Sequence, residues 1–158
     1  MRISFFLIGK PHSSSFEEAY EYYKKRLLKY ASVDVIYGKE QKLPNNPSQG
    51  EIQKALDKEA SDIIKILPRN TFLIILDLKG KENDSFSFAE DFKKISENHT
   101  SISFVIGSSY GLSDELRKKA NYSWKLSPLT FTHPLALEIT MEQVYRALKI
   151  NHGETYQK

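Results

Sequence analysis

An α/β fold, with a mainly parallel sheet and helices on both faces, is predicted by two features of the sequence. Short apolar runs of strand length alternate with segments whose apolar residues recur at helical spacing. The runs at 72–78 (FLIILDL) and 102–107 (ISFVIG) are apolar almost throughout, which is typical of strands buried on both sides. With 158 residues and no boundary in composition, the chain is predicted to form one domain, 1–158.

The first half of the chain is predicted to supply two strands and two helices. A strand at 2–8 ends at glycine and proline, and three serines at 13–15 offer N-caps. The helix that follows has an apolar stripe of Phe16, Tyr20, Tyr23, Leu27 and Tyr30. A short strand covers 33–37, and the composition of 43–50 (LPNNPSQG) predicts a mobile loop. The second helix carries Ile52, Leu56, Ile63 and Leu67, and a proline stops it.

The second half is predicted to continue the alternation. The apolar strand at 72–78 is followed by a short helix marked by Phe88, Phe92 and Ile95. After the strand at 102–107 a helix begins near Ser113, and 122–126 forms a last short strand. The final helix carries a stripe of Leu137, Met141, Val144, Tyr145 and Leu148. The terminal HGETYQK has the composition of a mobile tail.

Composition excludes several classes of function. The chain has no cysteine, so it has neither disulfides nor thiolate metal ligands, and its four histidines stand singly, so we expect no metal. No run approaches the roughly 20 apolar residues that cross a bilayer, so we expect no membrane partner and a cytoplasmic protein. The net charge of +3 is compatible with RNA binding but is not evidence for it.

Three segments are predicted to build a ligand site, because ligands of parallel α/β sheets bind beyond the carboxyl ends of the strands. They are 76–81 (LDLKGK), 105–112 (VIGSSYGL) and 125–134 (KLSPLTFTHP). The motifs GxGxxG, GxxxxGK[ST] and GxSxG are all absent from the sequence. The pattern therefore favours a cofactor site without naming the cofactor, and a Ser-His-Asp enzyme stays open.

Two residues near the end of the chain invite a functional interpretation. His133 is predicted to lie in the loop before the last helix, where a lone histidine more often orders the loop than contacts a substrate or moves a proton. Arg146 points off the apolar stripe of that helix and is placed to meet phosphate, whereas Tyr145 continues the stripe. Both interpretations of His133 remain open on sequence alone.

The order and spacing of several motifs resemble the RlmH family of SPOUT methyltransferases. The resemblance is strongest at 104–120 (FVIGSSYGLSDELRKKA), 123–150 (SWKLSPLTFTHPLALEITMEQVYRALKI) and 152–158 (HGETYQK). Shorter matches are LIGK at 7–10, ALDKEA at 55–60 and LDLKGK at 76–81. The resemblance covers essentially the whole chain without large insertions, and the combined C-terminal pattern is specific.

The resemblance implies both a fold and an activity. In this family the C-terminal segment threads through a loop to make a trefoil knot, an exception to the usual unknotted topology. The knot holds the methyl donor S-adenosylmethionine, and the proteins are homodimers whose active sites draw on both subunits. The reaction methylates N3 of a pseudouridine in the loop of helix 69 of 23S ribosomal RNA, within the ribosome and without a metal.

The resemblance also implies roles for individual residues. Leu76 and Gly107 match donor-contacting positions, as does the donor-wrapping loop of Leu126, Ser127, Pro128, Leu129, Thr130 and Phe131. His133, Arg146, Tyr156 and Lys158 match positions near the RNA substrate. Methyl transfer from a sulfonium needs alignment and a route for the N3 proton. Either His133 or a nearby carboxylate such as Glu138 would serve as that route.

The sequence departs from the family pattern at four places. Ser108 replaces a glycine, Thr132 a proline, Leu137 and Glu138 an arginine and an apolar residue, and Gln157 a histidine. Two lost basic groups weaken the inference about the RNA more than the inference about the donor. The alternatives are therefore a methyltransferase acting on another RNA, such as a tRNA, and a donor- or RNA-binding module with little catalysis.

Overall fold

The computed structural model describes residues 1–156 and shows a five-stranded sheet in the order β2-β1-β4-β3-β5. All of its strand pairs are parallel, as predicted. The strands are β1 (Arg2–Ile8), β2 (Ser32–Gly38), β3 (Phe72–Glu82), β4 (Ser101–Ile106) and β5 (Tyr122–Lys125). The helices are α1 (Ser14–Leu27), α2 (Gln49–Ile66), α3 (Ser85–Asn98), α4 (Asp114–Lys119) and α5 (His133–Asn151).

Helices cover both faces of the sheet, which confirms the predicted layering. Since successive side chains of a strand point to opposite faces, β1 contributes to two cores. Its Ile3, Phe5 and Leu7 join the core that holds α1, α3 and α5. Its Phe6 and Ile8 join the core that holds α2 and α4. This two-sided burial explains the uninterrupted apolar runs of the central strands.

Local signals fix most helix starts. Ser13 caps α1, as the serine run predicted, and Ser113 caps α4. Ser48 and Glu51 form a capping box at α2, so the last two residues of the predicted loop at 43–50 are helical instead. Asp84 caps α3, which at 14 residues is longer than the short helix predicted.

Two other boundaries differ from the sequence prediction. β3 runs on to Glu82, because a register shift in its pairing with β5 lets pairing resume after Leu76. α5 begins at His133, which was predicted to lie in a loop. Thr132 is its N-cap, and Pro134 stands in the first helical turn, where proline is accommodated without loss of a hydrogen bond.

No helix within residues 1–156 is both long and apolar enough to cross a membrane. The functional consequence of the fold lies at the carboxyl edge of the sheet. There β4 and β5 end on either side of β3, close to Leu76, and α5 returns to pack against α1 and α3. The ends of β4 and β5, the middle of β3 and the first turn of α5 therefore meet at one place.

Candidate active site

A cavity of about 720 Å³ opens at the carboxyl ends of β3 and β4. Its walls include residues 76–79 in the middle of β3, the turn after β4 and the loop 126–132 that joins β5 to α5. The volume lies within the range of small-molecule sites. Its position is the one expected for ligands of parallel α/β sheets.

The cavity gathers most of the residues predicted to contact a donor. Those that line it are Leu76, Gly107, Leu126, Ser127, Leu129, Thr130 and Phe131. Pro128 is exposed and is not part of the lining. The hydroxyl of Ser127 accepts a hydrogen bond from the backbone N–H of Leu129 at 3.0 Å, so it shapes the loop.

The turn after β4 is tight and depends on glycine. The backbone N–H of Gly111 donates to the carbonyl of Ser108 at 2.9 Å, and Gly111 has φ of +94°. A Cβ added at Gly107 would collide with the backbone carbonyl of Gly111. The chain at Gly107 is therefore restricted to glycine by packing, even though its own φ is not positive.

Ser108 connects this turn to a buried carboxylate. Its hydroxyl donates to Glu59 Oε2 at 2.9 Å, and Glu59 Oε1 accepts from the backbone N–H of Gln41 at 2.8 Å. Glu59 lies in α2 and is only 2% exposed. Burial raises the pKa of Glu59, and the bonds from Gln41 and Ser108 oppose that rise. Among residues 1–156 only Asn70 is a non-glycine with positive φ, so the backbone at Ser108 accommodates a side chain.

An ion pair forms another part of the wall. Arg117 Nε lies 2.6 Å from Asp77 Oδ2, and both residues line the cavity. The side chain of Asp77 is 8% exposed, whereas the second partner of Arg117, Asp114, is 75% exposed. The hydrogen bond to Asp77 raises the pKa of Arg117. The cavity therefore presents a positive and a negative group side by side.

His133 lines the cavity from the first turn of α5. A Cβ at Gly9 would lie 2.8 Å from Glu40 Oε2 and 3.1 Å from His133 Nε2, so these two groups converge on the end of β1. Burial lowers the pKa of His133, an effect that Glu40 opposes and His12 reinforces. Burial thus favours the neutral imidazole, which is the form able to accept a proton.

The start of α5 is fixed from α1. The buried hydroxyl of Tyr20 donates to the carbonyl of Pro134 at 2.8 Å. Glu138, the carboxylate suggested by the sequence, is not among the cavity-lining residues, and its charge acts on Tyr20 and Tyr23 instead. The carboxylate beside His133 is Glu40, which sequence reasoning missed because it follows β2, far away along the chain.

Trp124 on β5 also lines the cavity. Its ring stacks on Phe88 with a centroid distance of 3.8 Å and an interplanar angle of 2°. Within the part of the chain that the structure describes, its buried Nε1–H has no hydrogen-bond acceptor. A buried donor without an acceptor is costly, so this N–H is a candidate for a ligand contact.

Two of the residues predicted to lie near RNA, Arg146 and Tyr156, are outside the cavity. Arg146 forms an ion pair with Glu142, and its guanidinium lies 4.6 Å from the ring centroid of Tyr156. The Tyr156 hydroxyl donates to Glu142 Oε1 at 3.1 Å, and burial and Glu142 raise the pKa of Tyr156 to about 12. Neither Arg146 nor Tyr156 lines the cavity, and Lys158 lies outside the described residues.

The prediction of a mobile tail is wrong as far as Tyr156. Glu154 accepts hydrogen bonds from Lys29, Tyr30 and Lys149 at 2.6–2.9 Å. The ring of Tyr156 packs edge-on against Tyr145 with a centroid distance of 5.0 Å. Composition suggested mobility because it is blind to these partners, which come from distant parts of the chain.

No group of three or more histidine or acidic side chains within residues 1–156 is arranged to hold a metal ion. The departure at Leu137 is structural, because this side chain is fully buried in the core below α5. Leu137 therefore offers no group to a substrate. Gln157, another departure from the family pattern, lies beyond the described residues.

Comparison with known proteins identifies the family of the chain. A family model described as "Predicted SPOUT methyltransferase" matches residues 1–157. Two relatives named ribosomal RNA large subunit methyltransferase H are covered over their full length and cover this chain fully. The protein from Clostridium botulinum is 40% identical over 163 residues, and that from Halothermothrix orenii is 34% identical over 159.

A solved structure shows the same fold. It is a probable methylase family protein from Haemophilus influenzae, 16% identical, with a TM-score of 0.57 over 99% of this chain and 70% of that one. The likeness to this structure concerns the fold alone. From the family model and the full-length relatives, the chain belongs to the ribosomal RNA large subunit methyltransferase H family of SPOUT methyltransferases.

Proposed function

We propose that this chain transfers a methyl group from S-adenosylmethionine to N3 of a pseudouridine in helix 69 of 23S ribosomal RNA, within the ribosome. The observation that carries the proposal is the cavity at the carboxyl edge of the sheet, with a half-buried histidine in its wall. Relatives named as large-subunit ribosomal RNA methyltransferases support the choice of substrate.

The cavity suits the proposed donor in size and chemistry. Apolar side chains such as Leu76, Leu126 and Leu129 offer contact to an adenine ring. Asp77 and Arg117 offer opposite charges to the zwitterionic end of an amino acid. The unpaired N–H of Trp124 offers a hydrogen bond. When bound, S-adenosylmethionine supplies an electrophilic methyl group that needs alignment rather than activation.

The protein must also provide a route for the N3 proton of the target base. His133 is assigned this task, because it lines the cavity and burial lowers its pKa. Glu40 lies beside it and stabilises the imidazolium that forms when the proton is accepted. Proton transfer of this kind contributes about 10²- to 10⁴-fold to a rate.

The proposal includes the trefoil knot and the homodimer of the family. The path from the edge strand β5 through the loop 126–132 to α5, packed on α1 and α3, is the segment that would form the knot. In the dimer, Arg146, Tyr156 and Lys158 of one subunit contact RNA bound at the cavity of the other. This arrangement accounts for the absence of Arg146 and Tyr156 from the cavity lining.

A second candidate is methylation of another RNA, such as a tRNA. It is favoured by Leu137 and Glu138, which stand where the resemblance implies an arginine and an apolar residue. Leu137 is fully buried in the core, so this position gives the RNA no positive charge. A donor-binding module with little catalysis is the remaining alternative, and the same experiment separates all three.

The test combines calorimetry with S-adenosylmethionine and methylation assays on ribosomes from a methylation-deficient strain and on bulk tRNA. Methylation of ribosomes only supports the main proposal, methylation of tRNA only supports the second candidate, and donor binding without methylation supports the module. His133→Gln should lower the methylation rate about a hundredfold with donor affinity kept. Sedimentation should give about twice the chain mass of 18.2 kDa.

A further inference from the structure

We propose that Glu59 is a positioning residue for the donor site, which ties the turn after β4 to the segment that carries Glu40 beside His133. This inference rests on the proposed function, because it assigns Glu59 a part in donor binding. Glu59 itself is not in the cavity lining, so it acts through Ser108 and Gln41.

The first support is that both oxygens of the buried Glu59 carboxylate accept hydrogen bonds. It is 2% exposed in the middle of α2, and each oxygen accepts one hydrogen bond from a different segment. A buried ionisable group contributes little net stability compared with an apolar residue of similar volume. Its contribution here is to link two loop segments that follow β2 and β4, strands that both pair with β1 but not with each other.

The second support is what the two segments carry. One partner, Ser108, lines the cavity directly beside Gly107. The other, Gln41, follows Glu40, whose carboxylate converges with His133 on Gly9. The donor turn and the surroundings of the proton acceptor are thus joined through one side chain.

The third support is the departure at Ser108 from the glycine that the family resemblance implies. A glycine has no hydroxyl to donate, so the bond to Glu59 Oε2 exists because this chain has serine at that position. The other bond, from the backbone of Gln41, depends on no side chain but that of Glu59. The two hydrogen bonds to Glu59 can therefore be broken one at a time.

The first experiment compares Ser108→Ala with Ser103→Ala. Ser103 is a fully buried serine on β4, the strand that precedes the turn, and its hydroxyl bonds to Thr71 at 2.8 Å and is not in the cavity lining. Both variants lose one buried hydroxyl. We expect Ser108→Ala to raise the Kd and the KM for S-adenosylmethionine about tenfold with kcat kept, because the turn spends less time in the competent shape. Ser103→Ala should leave both constants unchanged.

The second experiment uses Glu59→Ala and Glu59→Gln. Alanine removes both links and should weaken donor binding more than Ser108→Ala does. A glutamine amide can still accept from Gln41 and donate to the Ser108 oxygen, so Glu59→Gln should keep the affinity within about twofold. Trp124, the single tryptophan of the chain, lines the cavity and reports donor binding by its fluorescence.

The outcomes distinguish this inference from the function on which it rests. A wild-type protein that binds no S-adenosylmethionine would overturn both. A wild-type protein that binds the donor, with Ser108→Ala binding it equally well, would overturn the positioning role alone. If Glu59→Ala does not fold, Ser108→Ala and Glu59→Gln still decide. Equal losses of affinity in Ser108→Ala and Ser103→Ala would show a general stability effect and would also overturn the inference.

Discussion

The cavity and the cluster at the end of α5 are both rich in polar groups, but they differ in what these groups contact. In the cavity wall, neither His133 nor the buried N–H of Trp124 makes a side-chain hydrogen bond to any of the described residues. At the end of α5, Glu142 holds Arg146 and Tyr156, and Glu154 holds three partners. The polar groups of the cavity can therefore bind a ligand, whereas those at the end of α5 bind one another and stabilise the fold.

Residue type alone does not distinguish groups that bind a ligand from groups that stabilise the fold. Arg146 and Tyr156 are the kind of residues that contact RNA, yet in this structure they close the tail onto α5. Any contact of theirs with RNA has to compete with Glu142. Substitutions in the cavity should therefore change ligand affinity more than stability. Substitutions in the cluster at the end of α5 should change stability more than ligand affinity.

The largest effect is expected from Gly107→Ala. The added methyl group would collide with the carbonyl of Gly111, so the turn after β4 must move and the cavity loses its wall. We expect S-adenosylmethionine binding to fall at least about a hundredfold in calorimetry, and methylation to fall with it. Circular dichroism should still show the α/β fold, because the collision lies in the turn and not within a strand or helix.

The matched control for this change is Gly50→Ala. Gly50 is in the first turn of α2, where a Cβ meets nothing nearer than 4.0 Å. Alanine favours a helix, so stability should hold or rise slightly. Normal donor affinity in Gly107→Ala would show that the cavity is not the donor site.

A smaller effect is expected from the ion pair of Arg117. Asp77→Asn removes the partner in the cavity wall and leaves the guanidinium without its nearest counter-charge, so donor affinity should fall about tenfold. Asp114→Asn removes the exposed partner of the same arginine and should leave donor affinity unchanged, since surface pairs contribute little. Titration calorimetry measures the donor affinity of both variants. Equal affinities would show that the Arg117–Asp77 pair has no part in donor binding.

The sequence predicted the strands and helices well because apolar periodicity is local information. The apolar composition of the runs at 72–78 and 102–107 predicts that these strands are buried. Ser13 and Ser113 mark helix starts because they accept hydrogen bonds from residues two or three positions further on. The strand order was not predicted, since it depends on which distant strands pair. The start of α5 was missed because Thr132 caps it without a side-chain bond.

The candidate site was predicted only where a motif ran along one segment. The segment 125–134 was predicted from its place after a strand, a family resemblance then singled out the loop 126–131, and all of this loop except Pro128 lines the cavity. Glu40, Glu59 and Arg117 were missed, because each gains its significance from a partner far away in sequence. Glu59 lies within a matched motif, ALDKEA, which was the one available signal.

The smallest effect concerns the α5 cluster, and it tests the stabilising side of the comparison. Lys149, Lys29 and Tyr30 lower the pKa of Glu154 from 4.5 to about 2. A carboxylate with a depressed folded-state pKa stabilises the fold above its ordinary pKa, and that contribution is lost as pH falls from 4.5 through 2. The melting temperature of Glu154→Gln should therefore lie a few degrees below wild type at pH 7, and the gap should close below pH 4.5. Glu90→Gln, which breaks an exposed pair with Lys94, should show little gap at any pH. Donor affinity should be unchanged in both variants, because neither residue lines the cavity.

A Glu154→Gln protein that melts like wild type at pH 7 would mean that the tail is held by Tyr156 alone. The contrast between the cavity and the end of α5 would then depend on the contacts of Glu142 with Arg146 and Tyr156.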